Sequence, residues 1–365
     1  MKLQVNRTYN FNAGPSALPI SVLEKAQQEL IDFRGTGMSV MELSHRSKPY
    51  EEVHNQAINS LRELLSIPDN YEVLFLQGGA SLQFSMIPMN FLSAGKQAAY
   101  VMTGSWSEKA FTEAKLFGEV YHAASTKEGN YRSIPKVEEL QYKHDDAYLH
   151  ITSNNTIYGT QWKEYPTTGE VPLIADMSSD ILSKPIDVSK FALIYAGAQK
   201  NLGPSGVTVV IIRKDLLAQA NTNIPTMLKY GTHAKNNSLY NTPPTFGIYM
   251  LGEVLNWARE LGGLKAISEL NDKKANLIYD AIDLSDGFYI GHAEKDSRSL
   301  MNITFNLKTE ELEKRFLAQA KQEGFVGVNG HRSIGGCRVS TYNAVPFEAS
   351  QAFSEFMLQF QKENN

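Results

Sequence analysis

Two short apolar runs each close on an ionisable residue. Residues 171–176 end in Asp176, and residues 191–200 end in Lys200. Both runs are apolar at successive positions, as expected of strands buried on both faces inside a parallel sheet. The carboxyl ends of such strands form the ligand crevice of open α/β sheets. A carboxylate and an amine presented there suit an aldehyde cofactor that carries a pyridine ring. The amine condenses with the aldehyde as a Schiff base, and the carboxylate keeps the ring nitrogen protonated. The same two residues are equally compatible with a buried ion pair or with unrelated strand ends.

Other chemistry-bearing words surround this pair. Gln77-Gly78-Gly79-Ala80-Ser81 lies between an expected strand and an expected helix, where small residues let backbone N–H groups approach an anion. A tight turn explains it as well. Trp106 follows Met102-Thr103-Gly104-Ser105 and could stack on a flat ring or simply fill a core. Two His-Arg-Ser triplets, His45-Arg46-Ser47 and His331-Arg332-Ser333, sit in loops far apart in the chain, with Arg338 just beyond the second. Arginine forks match carboxylate and phosphate, so these residues suit a doubly anionic substrate.

These residues need a scaffold to converge. Residue patterning predicts helices over 21–33, with Ser21 as N-cap, and over 50–65. Seven strands are expected near 72–76, 98–102, 119–123, 147–152, 172–176, 191–195 and 207–212. Helices lie between several of them, including 107–117. Past residue 247 a helical stretch runs to about 282, broken near Gly262-Gly263. Strand 300–305, helix 310–322, strand 338–341 and a final helix from Pro346 follow. The alternation predicts an α/β fold with a mainly parallel seven-stranded sheet and helices on both faces, plus a smaller C-terminal α+β domain. The expected divisions are an N-terminal segment 1–20 packing with the small domain, a large domain 21–258 and a small domain 259–365.

The chain has 365 residues, 42% hydrophobic and 20% charged, with a formal net charge of −4. That balance gives no sign of a nucleic-acid or membrane partner, so an anionic substrate needs a local basic pocket. Cys337 is the single cysteine, which precludes an intrachain disulfide and points to a reducing, cytoplasmic setting. Residues 1–7 lack the apolar core of a secretory leader.

Blocks along nearly the whole chain resemble the phosphoserine aminotransferase family, pyridoxal-phosphate enzymes of the aspartate-aminotransferase fold type. They run from Asn10-Phe11-Asn12-Ala13-Gly14-Pro15 and Glu42-Leu43-Ser44-His45-Arg46-Ser47 through Ala175-Asp176-Met177-Ser178 and Tyr195-Ala196-Gly197-Ala198-Gln199-Lys200-Asn201. Tyr240-Asn241-Thr242-Pro243-Pro244-Thr245, Gly330-His331-Arg332 and the segment from Gly335 to Asn343 complete the set. The resemblance implies that Lys200 holds pyridoxal 5′-phosphate as a Schiff base, with Asp176 on the ring nitrogen and Trp106 on the ring face. It implies Thr156 near the phenolic oxygen, and Ala80, Ser81 and Gln199 at the cofactor phosphate. Asn241 and Thr242 would reach that phosphate from a neighbouring subunit, making a homodimer with shared sites. Arg338 would take the substrate α-carboxylate, and His45, Arg46, His331 and Arg332 the distal phosphate or carboxylate. Some relatives carry arginine where this chain has Ser81, so the distal grip must differ here.

The activity so implied is transamination of 3-phosphohydroxypyruvate with L-glutamate, giving O-phosphoserine and 2-oxoglutarate in serine biosynthesis. 4-Phosphohydroxythreonine, of pyridoxine biosynthesis, is a second substrate of some relatives. No metal is implied. The competing readings are alanine–glyoxylate exchange on the same fold and a catalytically silent cofactor-binding protein. A nicotinamide dehydrogenase would need a glycine fingerprint that this chain lacks.

Overall fold

The computed structural model describes residues 7–364. The leader expectation, which concerns residues 1–7, falls almost entirely outside them. In chain order, β1 (Tyr9–Asn10) precedes helices α1 (Ile20–Glu29) and α2 (Lys48–Leu65). Strands and helices then alternate: β2 (Tyr71–Leu76), α3 (Gly79–Phe91), β3 (Gln97–Met102), α4 (Ser105–Ala114), β4 (Glu119–Ser125) and β5 (Leu149–Thr152). A hairpin of β6 (Asn154–Asn155) and β7 (Thr160–Gln161) comes before β8 (Leu173–Asp176), β9 (Leu193–Gly197) and β10 (Thr208–Arg213). Helices α5 (Lys214–Ala218), α6 (Tyr230–Lys235), α7 (Thr245–Glu260) and α8 (Gly263–Asp283) follow. The chain finishes with β11 (Tyr289–Gly291), β12 (Asn302–Leu307), α9 (Glu310–Gln322), β13 (Phe325–Val326), β14 (Cys337–Ser340) and α10 (Phe347–Asn364).

The fold is α/β around one seven-stranded sheet of order β2-β10-β9-β8-β5-β3-β4. β10 runs antiparallel to both neighbours, and the other pairings are parallel. β5, β8 and β9 are buried at every position, because helices cover both faces. One core holds Ile151, Ala175, Ile194 and Leu251; the opposite face packs Phe84, Ile87, Phe111 and Ile174. Each of these isoleucine, leucine and phenylalanine side chains contributes about 1.5–3 kcal/mol by leaving water. This burial holds the carboxyl ends of β8 and β9 side by side, Asp176 paired with Tyr195.

A third core forms around the antiparallel sheet β11-β12-β14 and helices α8 to α10, dense in Phe316, Phe325, Phe353 and Phe356. The N-terminal strand β1 pairs in parallel with β13, and Phe11 stands 5.4 Å from Phe353, centroid to centroid. The glycine pair Gly262-Gly263 takes φ of +99° and +73° between α7 and α8, a left-handed turn that breaks the helical stretch.

Three local expectations are corrected. The first helix starts at Ile20 and ends at Glu29; Pro19 occupies the N-cap, so Ser21 lies inside the first turn and caps nothing. Beyond it Arg34, Gly35 and Gly37 take positive φ, and the chain turns instead of remaining helical to residue 33. The helix expected from 107 begins at Ser105, because the Ser107 hydroxyl accepts from Gly104 N at 3.1 Å and acts as third-position cap partner. Trp106 therefore rides the first turn of α4. Among the described residues, no helix is long and apolar enough to cross a membrane.

Candidate active site

Lys200 follows β9 by three residues and turns its amine toward Thr156. Nζ donates to Thr156 Oγ1 at 2.7 Å. Burial lowers the Lys200 pKa to about 8, with Arg338 adding to the fall while Asp176 and Asp180 oppose it. Among the described residues Lys200 and Asp176 form no ion pair within 4.0 Å, so the expectation of a direct buried salt bridge is not met. Each influences the other's titration through space, and parallel pairing of β8 with β9 sets the two strand ends side by side.

Asp176 is 5% exposed at the tip of β8. Burial raises its pKa; Ser178, Lys200 and Tyr195 pull it back down. Ser178 N donates to Asp176 Oδ1 at 2.9 Å, a turn in which an aspartate accepts from the backbone two residues on. The Ser178 hydroxyl in turn accepts from Gly197 N at 3.1 Å, tying the ends of β8 and β9 together. Ser178 was not singled out in the sequence, though Asp-x-Ser is the signal that could have found it.

Thr156 connects two roles. Its hydroxyl takes the Lys200 amine, and its carbonyl accepts from Arg338 Nη1 at 3.4 Å. Arg338 Nε is buried with no partner among the described residues, a donor available to a carboxylate. His331 stands among cations: burial lowers its pKa first, and Arg338, Arg332 and Lys109 lower it further. Its Nδ1 contacts Ser333 Oγ at 2.7 Å, and the loop closes through Gly330 N donating to the Gly336 carbonyl at 2.8 Å. An added Cβ at Gly330 would fall 1.8 Å from the Gly335 carbonyl oxygen, so only glycine permits this closure.

The start of α3 makes an anion cradle. Gly78 at the N-cap and Gly79 take φ of +88° and +65°, and among the described residues no side chain caps the helix and its first N–H groups have no partner. Ala80 and Ser81 form the opening turn. Gly78, Ser81, Ser105 and Lys109 line one cleft of 930 Å³, whose lining includes neither Trp106 nor Lys200. Trp106 Nε1 is buried without a partner among the described residues, and Lys109 Nζ lies 4.3 Å from its ring centroid. Lys109 was missed in the sequence, although it stands one helical turn after Trp106. The Gln199 side chain folds back over Gly197, and the Gln199 backbone carbonyl accepts from Ser16 N at 2.9 Å. A second cleft of 480 Å³, lined by Lys25, Glu253 and Trp257, contains none of these residues.

Two expected pieces make no hydrogen bond or ion pair to Lys200 or Arg338 among the described residues, although one lies next to the start of α3. Thr242 contributes its carbonyl to Gln77 Nε2 at 3.3 Å, and Asn241 bonds the same carbonyl; neither bonds the α3 cradle among the described residues. His45 Nε2 is buried and unpartnered, Arg46 is exposed, and no hydrogen bond or ion pair among the described residues links either to Lys200 or Arg338. Cys337 is buried beside Arg338, and burial raises its thiol pKa.

Residues 8–353 match the family model for class-V aminotransferases. A phosphoserine aminotransferase from Lysinibacillus sphaericus is 70% identical over 358 residues, 98% of this chain and 99% of its own. The solved phosphoserine aminotransferase of Bacillus circulans subsp. alkalophilus superposes with a TM-score of 0.97 at 60% identity, covering 98% of this chain and 99% of that one. A structure described as radiation damage of the Schiff base in phosphoserine aminotransferase matches with a TM-score of 0.97 at 65% identity, covering 98% and 100%. With a lysine, a buried acid and an open helix N-terminus gathered at the sheet's carboxyl edge, the chain belongs to the class-V aminotransferases, among the phosphoserine aminotransferases it matches over nearly its full length.

Proposed function

We propose that the chain catalyses reversible transamination between L-glutamate and 3-phosphohydroxypyruvate, forming 2-oxoglutarate and O-phospho-L-serine for serine biosynthesis. The observation that carries this is Thr156 holding Lys200 Nζ on one side and Arg338 on the other. An amino acid bound through its α-carboxylate at Arg338 thus presents Cα to the amine.

The site residues fit pyridoxal 5′-phosphate. The uncapped α3 N-terminus suits its phosphate, the buried Asp176 its ring nitrogen, and Trp106 one ring face. When bound, the cofactor supplies an aldehyde carbon for imine exchange and a cationic ring that accepts the electron pair left at Cα. Lys200 Nζ, with its pKa near 8, removes the Cα proton and later returns one. Asp176 holds a proton at the ring nitrogen, with Ser178 fixing the carboxylate's orientation. Trp106 shields one face from water. Arg332 supplies charge to the distal phosphate, and His331, whose pKa burial and the neighbouring cations lower, adds an N–H bond.

The active unit is a homodimer in the cytoplasm. His45, Arg46, Asn241 and Thr242 would act in the partner's site, since among the described residues none of them bonds its own Lys200. Exposed Ile31, Met38, Met41 and Tyr240 lie near these residues in sequence and would be covered by the second copy. 4-Phosphohydroxythreonine fits the same distal cations as a second substrate. Purified holoenzyme given glutamate and 3-phosphohydroxypyruvate should release O-phosphoserine, and Lys200→Ala should release none. Faster turnover with alanine and glyoxylate would replace this reading with the competing one.

A further inference from the structure

Lys274, on α8, is fully buried at 0% exposure. Its amine has no carboxylate within ion-pair distance among the described residues. Instead Nζ donates to three backbone carbonyls: Tyr342 at 2.7 Å, Val345 at 3.1 Å and Asn343 at 3.4 Å. An ammonium has three N–H bonds and no lone pair, so it satisfies all three acceptors; a neutral amine cannot. Burial lowers the pKa to about 7, so the cation is retained at a cost unless those carbonyls need it.

The carbonyls belong to the segment that leaves β14, four to seven residues after Arg338. That segment touches the site from two directions. The Tyr342 hydroxyl donates to the Ala13 carbonyl at 2.8 Å and accepts from Asn302 Nδ2 at 3.1 Å. Asn343 N donates to Asn201 Oδ1 at 3.0 Å, and Asn201 is the residue after Lys200. Asn343 Nδ2 also reaches the Leu182 carbonyl at 3.0 Å, beyond Asp176 in the same turn region. A second α8 side chain, Asn271, donates to Asn343 Oδ1 at 2.9 Å and to the Ser183 carbonyl at 3.1 Å. One helix therefore clasps the segment that carries Arg338 onto the loop that carries Lys200.

We propose that Lys274 is a positioning residue: a tethered internal cation that sets the distance between Arg338 and Lys200 by clamping the carbonyls of residues 342, 343 and 345. It resembles a monovalent-cation site whose ion is covalently attached to the chain. The inference rests on the aminotransferase reading above, through the role of Arg338 in holding the substrate carboxylate.

The test uses cofactor-loaded full-length Lys274→Ala, with steady-state KM and kcat for glutamate and the absorption band of the bound cofactor, without and with added ammonium chloride. The expected result is a KM for glutamate raised about tenfold, the scale of one charged hydrogen bond, with kcat less affected and the band retained. Ammonium should bring the KM back toward wild type, because the free ion can occupy the carbonyl cage; sodium chloride at equal ionic strength should not. Any other pattern overturns the proposal, including a fall in thermal stability with KM unchanged. If Lys274→Ala is insoluble, Asn271→Ala severs the second arm of the clasp and must raise the same KM; an unchanged KM there overturns the proposal equally. Wild-type turnover of glutamate is the control, and its absence would instead refute the underlying activity.

Discussion

The amine of Lys200 should titrate near pH 8 in the cofactor-free protein. Its pKa falls from 10.5 to about 8, so at pH 7 about one amine in ten is neutral, roughly 300 times the fraction of an ordinary lysine. The cause is burial, reinforced by Arg338 and opposed by Asp176. The assay is capture of a small aldehyde at Lys200, trapped by reduction and read by peptide mass across pH, with Lys200→Ala as blank. The rate should rise with a midpoint near 8. Asp176→Asn removes the largest influence that favours the ammonium, so its midpoint should move lower still. The same shift has a stability consequence. Because the folded pKa lies below the unfolded one, the buried ammonium is penalised, and stability rises as pH increases from about 8 toward 10.5. A midpoint at the ordinary lysine value, or an upward move in Asp176→Asn, would refute the reasoning.

Thr156→Val removes the acceptor 2.7 Å from Lys200 Nζ while keeping shape, so turnover should fall about tenfold and the Lys200 midpoint should drop; steady-state rates and the same aldehyde titration check both. Arg338→Lys keeps a charge but loses the fork, and glutamate KM should rise about 10- to 100-fold with little change in cofactor content. Gly330→Ala drives a Cβ into the Gly335 carbonyl and should displace His331 and Arg332, raising KM for the phosphorylated substrate more than for glutamate. Phe353, fully buried against Phe11, Phe316 and Phe325, should cost about 3–5 kcal/mol when changed to alanine, measured by urea unfolding.

Much of the architecture is written in local chemistry. The unbroken apolar runs before Asp176 and Lys200 announce strands buried on both faces, and burial at every position of β8 and β9 follows from that. Gly262-Gly263 marks the break between α7 and α8 because only glycine enters those dihedrals cheaply. Helix edges were less legible. The first helix starts after a proline and ends where glycines turn the chain, and α4 begins two residues early because a serine hydroxyl reaches back to the backbone.

What residue types and spacing determined, then, was the inventory: an amine, an acid, an indole and paired His-Arg elements on an α/β scaffold. Tertiary structure alone decided which of them meet. Parallel pairing of β8 with β9 sets Asp176 near Lys200 with no ion pair between them among the described residues, and Thr156, from the hairpin before β8, bonds both Lys200 and, across 182 positions of chain, Arg338. It also placed Lys274 under the segment that follows β14, a contact no local pattern foretells. Strand and helix propensities act over a few residues, whereas the pKa of a buried amine and the partners of a buried cation depend on groups that only a closed fold brings within a few ångströms.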